Sequence, residues 1–251
     1  MSSRSGSLSV VVRGLVLMAA VGASQIASAG NWLGYMNVYF LTSGSQQGSF
    51  IFDSSWGIAD LKTTISNSNA GTIIGDQLVL EPNYNCYTDS LVGSNGDRAF
   101  WTNSSDGGVT PGPLGNKFMN ANTYSETASI AVPSATFNGN VTSNTLNTSL
   151  YTAKAFIKVL DPLAGFATVL NDSVTLPTSG TFSITSNLAA FQGKLLQMGF
   201  SMDGINGNPV DSVSNGAVAV TITPVPEPAT WALGATGLLA MAGLLRRRAR
   251  R

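Results

Sequence analysis

The chain has 251 residues, 13 bases against 13 acids, no histidine and one cysteine. Without histidine there is no His-based triad or dyad and no imidazole metal site. One cysteine allows no intrachain disulfide, no thiolate zinc site and no Cys–His nucleophile. The zero net charge hides an asymmetry, because between Gly30 and Val225 six bases face twelve carboxylates, a balance of −6. That segment has no basic footprint for nucleic acid. Neither a phosphate-binding glycine loop nor a dinucleotide fingerprint is present.

In chain order, Arg4 and Arg13 give a positive start and Leu15–Val21 a short apolar core. Ala27-Ser28-Ala29 then forms a small-residue cleavage site. This pattern predicts a signal peptide over 1–29, removed by signal peptidase at Ala27 and Ala29. From Gly30 onward the dominant pattern is alternation, not helical period. Met36, Val38 and Phe40 alternate with Tyr35, Asn37 and Tyr39. Phe50 and Phe52 predict one apolar face, and Leu78 and Leu80 another, closed by Glu81-Pro82-Asn83. Ala155–Leu160 is apolar on both faces apart from Lys158, the mark of an interior strand. Further strands are expected around Val174, Phe182–Ile184, Leu196–Phe200 and Val218–Ile222, with one short helix over Asn187–Lys194.

Strands separated by Gly, Asn and Pro turns, with no long amphipathic helix, predict an all-β protein. The expected fold is an antiparallel β-sandwich or jelly roll over 30–224. Cys86 is expected as a buried small hydrophobe. Pro82–Asn122 stands apart: it is polar yet carries Tyr84, Tyr87, Phe100, Trp101 and Phe118. A structureless loop of that length is unfavourable inside a domain, so short elements or a functional excursion are expected there.

Aromatic faces hold sugar rings through their apolar C–H surface, while Asn, Asp and Ser bond the rim. Trp56, Tyr84, Tyr87 and Trp101 are the candidate glycan-binding residues, with Trp32 and Tyr35 behind them. Trp101, beside Arg98 and Asn103, is the foremost of these. Asp203, Asn206, Asn208 and Asp211 are weaker candidates for a structural calcium, without the spacing of an EF-hand loop. No other cofactor is implied. Glu81 and Glu126 are the glutamates on which a paired-carboxylate glycosidase would draw.

The tail has three parts in order. Pro226, Glu227 and Pro228 form an extended signature. Ala229–Leu245 is uncharged and, as a helix, spans ~25 Å, the short end of a membrane crossing. Arg246, Arg247, Arg248, Arg250 and Arg251 follow, held on the cytoplasmic side by the positive-inside rule. This 225–251 segment closely resembles the C-terminal sorting signal of PEP-CTERM proteins, the exosortase substrates of many Gram-negative bacteria. The resemblance implies export, transient retention in the inner membrane, and cleavage near Pro226–Pro228 by an exosortase. It implies a final place at the cell surface or in an extracellular matrix, beside exopolysaccharide. Ser55–Leu61 and Ala155–Asp161 also resemble stretches of PEP-CTERM proteins of unassigned function. Ser129–Thr223 resembles the later strands of carbohydrate-binding-module jelly rolls. The expectation is a non-catalytic binding sandwich. The alternatives are a surface glycoside-active enzyme and a passive matrix component. A face of exposed aromatics separates the first from an acidic cleft.

Overall fold

The computed structural model describes residues 31–42, 46–68, 72–88 and 95–224. The expected signal peptide with Ala27 and Ala29 lies outside the described residues. So does the tail signal with Pro226, Glu227, Pro228 and Arg246–Arg248. Among the described residues no helix is long and apolar enough to cross a membrane.

Among the described residues eleven strands follow one another: β1 (Leu33–Leu41), β2 (Gln47–Trp56), β3 (Thr63–Ser66), β4 (Gln77–Leu80), β5 (Lys117–Thr127), β6 (Ser134–Asn144), β7 (Tyr151–Asp161), β8 (Ala167–Thr175), β9 (Gly180–Asn187), β10 (Leu195–Ile205) and β11 (Val218–Ile222). Three short helices interrupt them: α1 (Asn85–Thr88), α2 (Asn95–Trp101) and α3 (Ser212–Asn215). Every pairing between these strands is antiparallel. One sheet has the order β2-β1-β5-β10-β7-β8, the other β3-β4-β11-β6-β9. The protein is thus all-β, as the alternation predicts, and the described residues fall within one unit, Ala23–Pro226.

The two sheets share one core. Met36 and Val38 of β1, Ile157 and Val159 of β7 and Leu196 and Phe200 of β10 face Phe137 of β6, Phe182 of β9 and Val218 and Val220 of β11. Phe137, Phe182 and Phe200 meet edge to face or tilted at 5.4–5.8 Å, and Trp32 stacks on Phe200 at 6.2 Å. Trp32 Nε1 donates to the fully buried Asp76 carboxylate at 2.8 Å, which satisfies a polar tip in an apolar setting. Cys86 is fully buried beside this core.

Three departures from the sequence reading have clear causes. Phe50 and Phe52 do not share a face. Between Val38↔Phe52 and Tyr39↔Phe50 the register of β2 slips, so Ile51 is an extra residue. The bulge turns Phe52 inward onto Trp101 and Phe50 outward onto Tyr39. Second, Asn187–Lys194 is not an α-helix but the end of β9 and a single 3-10 turn, Ala189–Phe191. Third, β3 and β5 have no strong apolar alternation, and β6, where Ala135, Phe137 and Val141 alternate inward, was not singled out. The inward positions of β5 include Ala121, Thr123 and Ser125, and the Thr63 and Thr123 hydroxyls bond to each other at 2.8 Å inside the sandwich.

The polar stretch after Pro82 is a fastening. Asn83 Oδ1 accepts from the amides of Asn85 and Cys86, which starts α1, and its Nδ2 donates to the Asp60 carbonyl. At the far end Asn206, fully buried, accepts from the Lys117 amide at 3.0 Å and donates to the Trp101 carbonyl at 2.7 Å. These bonds draw α2 back onto the sandwich.

Candidate functional site

The outer face of the six-stranded sheet carries polar side chains in register across neighbouring strands. One row reads Ser55, Tyr35, Asn122, Ser201 and Lys154 from β2 to β7. Beside it run Asp53, Asn37, Asn120, Asp203 and Thr152. Towards the other end Tyr124, Gly199 and Phe156 are aligned, then Glu126, Gln197 and Lys158. Alternation along each strand sends these residues outward while their neighbours enter the core.

A hydrogen-bond relay holds the rows. Asn37 donates to Asn120 Oδ1 at 3.0 Å, and Asn122 donates to the same oxygen at 2.6 Å. Asn120 Nδ2 donates to the Asp203 carboxylate, whose other oxygen takes the Lys154 ammonium at 3.0 Å. Gln197 Nε2 donates to Glu126 at 2.9 Å. These side chains are therefore preset, and a ligand would not have to order them.

A groove of about 680 Å³ lies over this face, within the ~300–1,000 Å³ typical of ligand sites. Its walls come from Asp53 and Ser55 of β2, Tyr35 and Asn37 of β1, Tyr124 and Glu126 of β5, Gln197 of β10, Lys158 of β7 and Phe166 at the turn before β8. It reaches from β2 to β8 across the strands, ~24 Å at about 4.8 Å per strand. In the middle of the face Gly199 packs directly against Tyr124 and Thr123 of β5. A Cβ there would sit 2.2 Å from the Thr123 carbonyl oxygen and 2.7 Å from Tyr124 Cβ. The close approach of β5, and not an unusual backbone angle, demands glycine.

Burial raises the Tyr35 phenol above its ordinary value, and Asp53 adds to the rise through a hydrogen bond and its charge. Burial likewise raises Tyr124, with Glu126 and Tyr35 contributing. Both rings thus present a neutral hydroxyl at physiological pH. Burial lowers Lys158, and the Asp203 charge opposes that. The Lys158 ammonium lies 4.7 Å from the centre of the Phe156 ring.

The sequence-predicted site residues fall elsewhere. Tyr84, Tyr87 and Trp101 are 5 %, 2 % and 7 % exposed, so the expected face of open aromatics does not form. Trp56 is half-buried and meets Trp101 edge to face at 6.2 Å. Trp101 also packs on Phe100 and Phe52, because α2 folds its polar surroundings outward and its ring inward. Of the six aromatics that the sequence singles out, only Tyr35 lines the groove. The calcium candidates do not converge. Asp203 lies on β10 in the relay, Asn206 holds Lys117 and Trp101, and Asn208 Oδ1 accepts from the Val210 amide. Asp211 begins the turn into α3. Among the described residues no three acidic or cysteine side chains gather around a metal-sized space. Glu81 follows β4 of the smaller sheet and Glu126 belongs to β5 of the larger, so the two glutamates are not brought together.

The groove residues that sequence reading missed are Asn122, Tyr124, Lys158 and Gln197, while Glu126 was singled out only as a candidate catalytic carboxylate. Their signal was the outward half of each alternation, weak in β5 because its inward half is also small and polar.

No family model and no curated protein matches the chain. Among solved structures, the enzymatically active domain of tailspike protein 4 from bacteriophage CBA120 aligns with 82% of this chain at 15% identity and a TM-score of 0.34. The chain spans 21% of that protein's length. A likeness of this depth supports no statement about activity.

Proposed function

We propose that this chain is an exported, exosortase-processed protein of the cell surface or extracellular matrix, and that its sandwich binds polysaccharide without cleaving it. The observation that carries the binding role is the groove across the six-stranded sheet, with preset amide and carboxyl groups beside neutral tyrosines. Sugar hydroxyls need donors and acceptors in fixed places, and the apolar face of a ring needs an aromatic wall. The strand orders β4-β11-β6-β9 and β5-β10-β7-β8, joined by strands that alternate between sheets, support reading these eight strands as a jelly roll, with β1–β3 added at the edges. The export role rests on the Ala27–Ala29 site and on the Pro226–Arg251 tail.

The carboxylates of the groove favour binding over hydrolysis. Asp53 is in register with Asn37 and so with Asn120, six residues along β5 from Glu126. That places their backbones ~20 Å apart along the strand, whereas paired catalytic carboxylates stand about 5–9.5 Å apart.

The test is a polysaccharide screen with Gly30–Val225, which contains every described residue. Tyr35→Ala is expected to weaken retention roughly 10- to 100-fold with little change in melting temperature. No retained polysaccharide, or undiminished retention by the variant, removes the groove as the site. In the producing cell, Glu227→Ala is expected to leave the full-length chain in the inner membrane. Normal processing of that variant would exclude the sorting role.

A further inference from the structure

We infer that the glycan held in this groove is anionic, and that a carboxylate or sulfate on its sugar ring seats on the Lys158 ammonium at the β7 side of the groove. This inference rests on the polysaccharide reading above and adds the chemical class.

Lys154 is paired with Asp203 at 3.0 Å, and Asp203 also accepts from Asn120. Glu126 accepts from Gln197. Lys158 makes no ion pair among the described residues. Its ammonium turns along the strand over Phe156, which is aligned with Gly199 and Tyr124. Lys158 also lines the groove, which therefore carries one cation without a carboxylate at its tip. Among the described residues that line the groove, Lys158 is the one cation, against the carboxylates of Asp53 and Glu126.

Neither of these acids forms an ion pair with Lys158. Asp53 lies four strands from β7, ~19 Å across the sheet. Glu126 is separated from Lys158 by the whole width of β10, and the lysine side chain points away from it, towards Phe156. Exposed charges beyond about 8 Å are largely screened at physiological ionic strength. The −6 balance of Gly30–Val225 therefore slows the approach of an anionic polymer more than it weakens the seated contact. Burial already holds Lys158 below the ordinary lysine value. A ligand anion would return to this cation the partner that burial has taken from it, and such charge-assisted bonds are the stronger kind.

The experiment titrates the purified full chain with polygalacturonate, with the same polymer after carboxyl reduction, and with a sulfated galactan, each at low and physiological salt. At least one charged polymer is expected to bind roughly 10- to 100-fold more tightly than the reduced one. The preference is expected to shrink with salt, to vanish in Lys158→Met and to return largely in Lys158→Arg. Which charged polymer wins identifies the anion as carboxylate or sulfate. Equal binding of native and reduced polymer overturns the inference and leaves the polysaccharide reading intact, as does a preference undiminished in folded Lys158→Met. Should that variant fail to fold, the comparison of native with reduced polymer on the unaltered chain decides. Failure of all three polymers, together with a negative wider screen, overturns both.

Discussion

Trp101 shows how one side chain can be misjudged from its neighbours. Arg98, Asn103 and Asp106 surround it with polarity, yet its ring enters the core against Phe52, Phe100 and Trp56. Arg98 turns outward to the Gly108 and Val109 carbonyls, and Asp106 closes its own loop through Ser104 and Thr110. Removing a buried tryptophan costs both transfer energy and a cavity. Trp101→Ala is expected to lower stability by about 3–5 kcal/mol, read as an earlier urea midpoint. An unchanged midpoint would mean the ring is not core. Asn206 works by another route, through its bonds to the Lys117 amide and the Trp101 carbonyl. Asn206→Ala leaves the Lys117 amide without its side-chain acceptor, while the Trp101 carbonyl keeps its bond from the Asn116 amide, an expected cost of about 1–3 kcal/mol. Faster hydrogen exchange of the Lys117 amide would report it locally.

At the scale of elements, the groove depends on two exceptions to regular strand structure. The bulge at Ile51 lets Phe52 seal the core while Phe50 stays outside. Gly199 lets β10 run close beneath Tyr124. A methyl group there would press on the β5 backbone. Gly199→Ala is expected to cost about 1–3 kcal/mol and to displace the Tyr124 ring. A melting curve combined with the polysaccharide titration separates the two effects, because a displaced Tyr124 wall weakens binding even below the melting transition. Full stability and full binding would show that β5 has room to move.

For the whole molecule, the buried phenols set a limit at high pH. The hydroxyls of Tyr84, Tyr87 and Tyr151 are buried without a hydrogen-bond partner, although Asn215 and Asn208 lie near enough to steady Tyr84 and Tyr87 electrostatically. Burial pushes Tyr84 up from 10.0 to about 12 and raises Tyr151 as well. A raised folded value means that the fold keeps the proton while the unfolded chain releases it. The associated stability is present below pH 10.0 and is lost as pH climbs towards about 12, ~2–3 kcal/mol for Tyr84 alone. Thermal melts through that window should fall steeply, and Tyr84→Phe should flatten the fall. A flat profile in the unaltered protein would show the phenols to be hydrated.

The strand segments on the core side were legible because alternation is a local consequence of the pleat. Met36 and Val38, Leu78 and Leu80, and Val218, Val220 and Ile222 each declared a buried face without reference to the rest of the chain. Composition alone likewise excluded histidine chemistry and an intrachain disulfide. The groove was not legible, because it is a property of register. Tyr35, Asn122, Glu126 and Lys158 come from three strands far apart in sequence, and only the order β1-β5-β10-β7 places them on one surface. The same order puts Gly199 between Tyr124 and Phe156. Whether an aromatic residue lies inside or outside was also a tertiary decision. The Ile51 bulge fixed it for Phe50 and Phe52, and the return of α2 fixed it for Trp101. A polar neighbourhood in sequence says how a segment meets water on average; burial of one ring depends on which strand lies beneath it.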